Sequence, residues 1–365
     1  MNILIVTFDP PQNVGGVEGR GNNYTKHLVF LGHNVEVISF FPGYDYSTEE
    51  LHGAKLLKFP SSSSKAIRSL RLTAKEVSKN SIDSIFFLSG ALTLYGLLLL
   101  LYARYKGIRT LAFYYGKDIL TSKHGLFSRF ALWISPKLSC KIAVNSRYTK
   151  RLLPKKYEKK SVVLYPAVDP GILGQVDVHV RKDDFQRILF VGRLVKRKGA
   201  DDLLRSFREV ASIFQQATLE IVGDGPELET LRVLSKDLGV SDRARFYGSL
   251  SGNPLYERYA SCYLLVMPSR TTEYDVEGFG TVFLEAALFG KPSIGTRSGG
   301  IPEAIVDGET GVLVPEGDVS ALSDALKKLL SDRDLALRLG ESARKRVLTF
   351  FTWEEATREL ASDLA

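Results

Sequence analysis

Short apolar runs, each closed by turn-forming residues and followed by a helical stretch, recur along the whole chain. NILIVTF (2–8), VEVISFF (35–41) and the segments 84–88, 109–115 and 140–145 fit strands. Helices fit at 17–31, 64–79, 91–105 and 126–138. In the first of these, Tyr24, Leu28 and Leu31 recur at i, i+4 and i+7, and Gly32 supplies the stop. The rhythm restarts at RILFVGR (187–193) and continues through LEIVGDG (219–225), ARFYG (244–248), YLLVMPS (263–269) and PSIGT (292–296). Strands alternating with helices imply a parallel sheet covered on both faces. The α/β chain is therefore expected to hold two doubly wound units, with the Pro- and Gly-rich segment 166–182 as linker. Ligands of such a pair are expected in a cleft facing the carboxyl ends of the strands.

A chain of 365 residues suits two domains rather than one core. The division expected is 1–172 and 173–349, with a terminal helix at about 350–365 packing back on the first domain. Hydrophobic content of 44% and charged content of 25% fit a soluble globular protein. Charge is unevenly shared. Residues 1–170 carry 24 Lys and Arg against 11 Asp and Glu, a net +13, whereas the remainder of the +8 chain is mildly acidic. The two halves are thus expected to meet different partners.

Cys140 and Cys262 are expected to be free, buried thiols in a reducing cytosol. MNILIVTFDPP lacks the basic start of a signal peptide, and the apolar stretch around Leu97–Leu101 is too short to span a bilayer. The expected location is cytoplasmic, peripheral at the inner membrane face. Cys and His show no ligand spacing, so neither a metal nor another cofactor is expected. Asp332-Arg333-Asp334 reads as helix punctuation. Without an interleaved aromatic platform, the basic residues do not suit nucleic acid.

The chemistry concentrates in DVEGFGTVFLEAALFGKPSIGT (275–296). Two carboxylates, Glu277 and Glu285, flank a glycine turn at the start of an apolar helix. The first N–H groups of that helix, near Phe279, Gly280 and Thr281, favour an anion. Carboxylates accept hydrogen bonds from hydroxyls, so a sugar joined to a diphosphate suits the pair. Either glutamate alone could equally be a surface carboxylate or half of an ion pair.

VGRLVKRKG (191–199), VGDGPE (222–227), FYGSL (246–250), MPS (267–269), EGFGTVFLEAALFGKP (277–292) and GGIPEAIVDGETGVLV (299–314) together resemble the C-terminal half of the retaining glycosyltransferases of family 4. GGVE (15–18), LGHNVEVIS (31–39) and NSRYTK (145–150) resemble the first half more weakly. The resemblance implies the GT-B fold, two Rossmann-like domains facing across a cleft. It implies that Arg193 and Lys198 hold the donor diphosphate, that Glu277 contacts the donor sugar and that Glu285 meets the ribose. Main-chain groups of Phe279, Gly280 and Thr281 would meet phosphate or sugar, Leu250 would pack the nucleobase, and Gly16 would approach the diphosphate. Many members carry a histidine that contacts the donor sugar where this chain has Tyr115, and a phenol brings no charge near neutral pH. Gly15-Gly16 is also ordinary turn chemistry.

The helix near 64–79 has two readings. Lys65, Arg68, Arg71, Lys75 and Lys79 share one side, and Ala66, Ile67, Leu70, Ala74 and Val77 the other. This is either a core helix with a solvated basic face or a helix lying on an anionic membrane. Lys155, Lys156, Lys159 and Lys160 add a second cluster. The activity expected is metal-independent hexosyl transfer from a nucleotide-sugar to an acceptor hydroxyl with retention, the acceptor being lipid-linked or otherwise anionic. The alternative is a non-catalytic sugar-nucleotide-binding subunit, or an isomerase on the same fold. A nicotinamide enzyme is disfavoured because Gly-x-Gly-x-x-Gly is missing after the first strand.

Overall fold

The computed structural model describes residues 1–8, 18–41, 46–61, 65–121, 125–176 and 186–364. Gly15, Gly16 and His124 lie outside them, as do residues 177–182 of the 166–182 segment. Two compact units form, one from residues 1–166 with 353–365 and one from 167–352.

The first unit is an eight-stranded sheet in the order β3-β4-β2-β1-β5-β6-β7-β8. Its strands are β1 (Asn2–Thr7), β2 (Asn34–Phe41), β3 (Ser47–Leu51), β4 (Ala54–Pro60), β5 (Ser84–Phe87), β6 (Arg109–Tyr114), β7 (Lys141–Val144) and β8 (Ser161–Val163). All pairs are parallel except β3 with β4. Central β1, between β2 and β5, buries Ile3, Leu4, Ile5 and Val6 completely. A strand covered on both faces reads as an unbroken apolar run, which is why β1 stands out in the sequence. β3, STEEL, is an exposed edge whose Glu49 pairs with Lys58 of β4 at 2.5 Å.

The helices of this unit are α1 (Glu18–Phe30), α2 (Ala66–Lys79), α3 (Leu94–Lys106), α4 (Gly116–Thr121), α5 (Leu126–Leu138) and α6 (Arg147–Leu152). Thr93 caps α3 by accepting the Gly96 N–H at 3.0 Å, and Gly107 ends the helix at φ +70°. The buried face of α2 is Ala66, Ser69, Thr73 and Val77, with Ile67 60% exposed. That differs from the apolar side read from the sequence. Ala66 and Val77 are inside as expected, but Ser69 and Thr73 take the remaining buried places, where Thr73 Oγ1 and the Tyr95 hydroxyl, 2.8 Å apart, satisfy each other.

The second unit is a six-stranded parallel sheet, β11-β10-β9-β12-β13-β14. Its strands are β9 (Arg187–Val191), β10 (Thr218–Val222), β11 (Ala244–Gly248), β12 (Leu264–Met267), β13 (Ser293–Thr296) and β14 (Gly311–Val314). Helices α7 (Ala200–Ile213), α8 (Leu228–Asp237), α9 (Asn253–Ser261), α10 (Thr281–Leu288), α11 (Ile301–Ala304), α12 (Val319–Ser331) and α13 (Arg333–Phe350) accompany it. Asp332 caps α13 through the Leu335 N–H at 2.9 Å, the punctuation its sequence suggests. Both units are the expected Rossmann-like α/β arrangement.

The last helix, α14 (Trp353–Leu364), belongs to the first unit. Trp353 meets Tyr24 of α1 edge-on at 5.2 Å. Ser84 and Arg109 donate to the Leu364 carbonyl at 3.2 and 3.1 Å, and Asp363 pairs with Lys141 at 3.0 Å. One expectation is corrected. Cys262 is buried, but Cys140 is exposed, because it lies in the turn that enters β7 rather than inside the strand.

Candidate active site

The six parallel strands of the second unit end along one edge of the sheet, and the loops beyond them carry the polar side chains. After β9 the chain passes Gly192 into a 3₁₀ turn, Lys196–Lys198. Gly199 closes that turn at φ +70°, where a Cβ would stand 2.1 Å from the Pro268 carbonyl oxygen. Both its backbone angle and its lack of bulk are needed for the turn to lie against the loop after β12.

That approach sets the turn's cations on one carboxylate. Lys198 Nζ lies 2.5 Å from Glu277 Oε2 and 3.4 Å from Met267 Sδ. Arg197 Nη1 donates to the same Glu277 oxygen at 3.0 Å, and its Nε donates to Asp275 Oδ2 at 3.0 Å. The Lys198 and Glu277 side chains are only 13% and 12% exposed. Burial pushes the Glu277 carboxyl up, but Lys198 and then Arg197 outweigh it and hold the group below the ordinary carboxylate range. Glu277 is therefore ionised at neutral pH.

Glycines also fix the main chain at Glu277. The Gly300 N–H donates to the Glu277 carbonyl at 2.9 Å. A Cβ on Gly299 would meet that carbonyl oxygen at 2.2 Å, and one on Gly300 would meet the Gly278 carbonyl oxygen at 2.1 Å. Gly280, at φ +90°, turns the chain into α10, with Phe279 buried against Phe351. The opening N–H groups of α10, which begins four residues after Glu277, carry the helix's partial positive charge.

Glu285 lies farther along α10. Its Oε2 accepts the Tyr259 hydroxyl of α9 at 2.5 Å. Burial raises the Glu285 carboxyl, and the Tyr259 hydrogen bond offsets this only in part. Burial, and then the charge of Glu285, push the Tyr259 phenol far up, so it remains a donor.

The structure brings Lys198, Glu277, Phe279, Gly280 and Thr281 together, with Glu285 on the same helix. Arg193 is exposed on the loop after β9, beside the Gly223–Gly225 loop, where the Leu194 N–H donates to the Asp224 carbonyl at 2.8 Å. Leu250 is half-buried just beyond edge strand β11. Tyr115, in the other unit, stacks on Phe113 at 5.1 Å. The Arg20 guanidinium lies over both rings, 5.2 Å from Phe113 and 5.5 Å from Tyr115. Gly16 falls outside the described residues.

Sequence reasoning missed Arg197, Asp275 and Tyr259. Lys196, Arg197 and Lys198 are adjacent, and only the turn geometry shows that Lys196 faces solvent while the other two face inward. Arg20 was missed because a lone arginine beside glycines carries no pattern.

A parallel sheet whose loops set two cations on one buried acid just ahead of a helix start is an α/β arrangement of the Rossmann type. Family comparisons make that specific. The model for glycosyl transferases group 1 matches residues 175–346, and that for glycosyltransferase family 4 matches residues 14–171. The chain belongs to the family 4 glycosyltransferases, enzymes of the GT-B fold. A Mycobacterium tuberculosis GDP-mannose-dependent alpha-(1-6)-phosphatidylinositol monomannoside mannosyltransferase is 37% identical over 198 residues, 54% of this chain and 51% of that enzyme. The chain thus spans about half the length of such curated relatives. The uncharacterized glycosyltransferase MJ1178 of Methanocaldococcus jannaschii is 26% identical across 97% of this chain and 95% of its own. Among solved structures, Anabaena Alr3699/HepE in complex with UDP superposes with a TM-score of 0.80 at 19% identity, covering 100% of this chain and 99% of the other, a likeness of fold.

Proposed function

We propose that this protein transfers a sugar from a nucleotide-sugar to an acceptor hydroxyl with retention of anomeric configuration. The observation that carries this reading is the convergence of Lys198 and Arg197 on Glu277 where α10 begins. Lys198 and the α10 N-terminus act on the leaving diphosphate, where negative charge develops as the glycosidic bond breaks. Arg193 is the second phosphate ligand, reaching in from the exposed loop. Glu277 orients the donor sugar and stabilises positive charge at its anomeric carbon. Attack comes from the face that the diphosphate leaves, and the departing phosphate helps to take the acceptor proton. Glu285 and Leu250 hold ribose and base. Phe279, Gly280 and Thr281 offer main-chain groups to phosphate or sugar. With positive charge supplied by side chains, turnover is expected to survive EDTA.

The mycobacterial relative is named for GDP-mannose and a phosphatidylinositol glycolipid, which supports GDP-mannose as the first donor to try and a lipid-linked acceptor. The exposed basic residues Arg68, Arg71, Lys75 and Lys79 of α2 support an anionic membrane surface as the setting. Among the described residues no helix is long and apolar enough to cross a membrane. A thermal-shift panel of UDP, GDP and ADP, followed by donor turnover with glycolipid acceptors, tests the proposal. Stabilisation by one diphosphate with acceptor-dependent release of that diphosphate supports it. Binding without release would favour the non-catalytic alternative.

A further inference from the structure

Helix α5, LFSRFALWISPKL, leaves most of its large side chains in water. Ala131, Ser135 and Pro136 are inside, whereas Leu126, Phe127, Phe130 and Trp133 are 88%, 52%, 51% and 53% exposed. Leu126, Phe130, Trp133 and Lys137 fall within about 60° of one another around the helix, with Phe127 at the border. A contiguous exposed stripe of this kind marks a docking surface.

What surrounds the stripe selects its occupant. Lys137 Nζ sits 3.0 Å from the centre of the Trp133 ring, and Arg129 is exposed on the same helix. The Tyr157 hydroxyl donates to the Trp133 carbonyl at 3.1 Å, which fixes the 3₁₀ turn Lys155–Lys160 beside α5. Lys155, Lys156 and Lys159 of that turn are exposed, and from Gly125 to Lys160 the only carboxylate is Glu158. Protein interfaces are depleted in lysine. Aromatic rings and leucine capped by lysine ammonium groups match a bilayer surface instead, rings at the level of the headgroups and lysines snorkelling to the phosphates. α3, which packs against α5, adds exposed Leu101 and Tyr105, with Lys106 Nζ 5.7 Å from the Tyr105 ring.

We propose that α5 and the adjoining 155–160 turn form the surface on which this protein docks to an anionic lipid bilayer, Leu126, Phe130 and Trp133 entering the boundary between headgroups and acyl chains. The basic face of α2 lacks such a stripe and supplies attraction rather than insertion. This inference is independent of the reading of the donor site.

The intact protein is mixed with vesicles of phosphatidylcholine, with and without phosphatidylglycerol. Of the two tryptophans, Trp353 is buried at 6% exposure, so a change in emission reports Trp133. The expected result is sedimentation with the anionic vesicles only, a blue shift of the emission and protection from an aqueous quencher. Trp133→Phe removes the shift but keeps the binding. Combining Leu126→Gln, Phe130→Gln and Trp133→Gln weakens binding at least about ten-fold, while circular dichroism and retained nucleoside-diphosphate binding show that the variant is folded. Lys155→Gln with Lys156→Gln and Lys159→Gln erases the preference for phosphatidylglycerol. Sedimentation with an unshifted Trp133, or unchanged binding by the apolar triple variant, would overturn the proposal and move the contact elsewhere, to α2 first. Failure to bind either vesicle, or a lipid-free dimer that Phe130→Gln dissociates, would also overturn it.

Discussion

Lys198 Nζ stands 2.5 Å from Glu277 Oε2, and Arg197 reaches the same oxygen at 3.0 Å. A lysine assigned to phosphate is thus also what keeps the neighbouring acid charged. A diphosphate arriving at Lys198 competes with Glu277 for that cation, so donor binding and the state of the acid are coupled.

Glu277→Gln separates the two roles. It frees Lys198 and Arg197 from a carboxylate, so nucleoside-diphosphate affinity, measured by calorimetry, should hold or tighten. Over the same change kcat should fall by roughly 10²–10³, the scale of losing one preorganised electrostatic group. Weaker diphosphate binding with normal kcat would contradict the coupling.

Lys198→Ala should lower kcat/KM more than Arg193→Ala. Lys198 is mostly buried, where its charge is poorly screened, whereas Arg193 is exposed. The stability cost of Lys198→Ala should stay below the roughly 3–5 kcal/mol of an orphaned buried ion, because Arg197 still faces the carboxylate. Urea melts and steady-state rates of the two variants check both statements. Turnover like wild type in Lys198→Ala would remove its assigned role.

The two glutamates should leave opposite marks on the pH dependence of stability. The Glu277 carboxyl is lowered in the folded state. Its contribution is complete above the unfolded value of about 4.3 and is lost as pH falls through the lower folded value. The Glu285 carboxyl is raised, so its contribution is complete below the unfolded value and is lost as pH rises through the folded one. Melts between about pH 3 and pH 8 should show Glu277→Gln flattening the acid limb, and Glu285→Gln gaining on wild type as pH rises. Parallel curves for the two variants would contradict the assignment.

Gly300→Ala should disable the site without touching a polar side chain. The added methyl would stand 2.1 Å from the Gly278 carbonyl oxygen, so the 277–280 loop must move. A loss of about 1–3 kcal/mol in stability is expected, with a fall in kcat out of proportion to it. Ala substituted at Gly308, which has nothing within 4 Å but sits at φ +77°, is the control for backbone strain alone. Equal rates for the two would show that loop position is immaterial.

Central buried strands such as β1, with ILIV, were easiest to read, since a core covered on both faces forces unbroken apolar runs, whereas buried β4 and β14 were not named from the sequence. The helix expected at 126–138 coincides with α5. Its exposure was not legible, because periodicity gives a helix its apolar side but not whether anything packs there. β3 escaped notice because an edge strand needs no apolar residues, and STEEL has almost none. At the site, the spacing of Glu277 and Glu285 around a glycine turn was visible. The Tyr259–Glu285 bond was not, because it depends on how α9 lies against α10, and the choice of Arg197 over Lys196 needed the 3₁₀ turn. Glycines 299 and 300 stood in the sequence only as part of a segment carrying the family resemblance, whereas they are spacers that let two loops touch.

Because α14 completes the first unit, the order of synthesis differs from the order in which the units can finish. Residues 1–166 leave the ribosome early, yet the places for Trp353, Leu360 and Leu364, all nearly fully buried, are filled only after the whole second unit has been made. The second unit can close while the first still shows an apolar gap over α1 and β5. Loss of α14 therefore wounds the half of the molecule made first, and a nascent chain should need shielding there until that helix emerges.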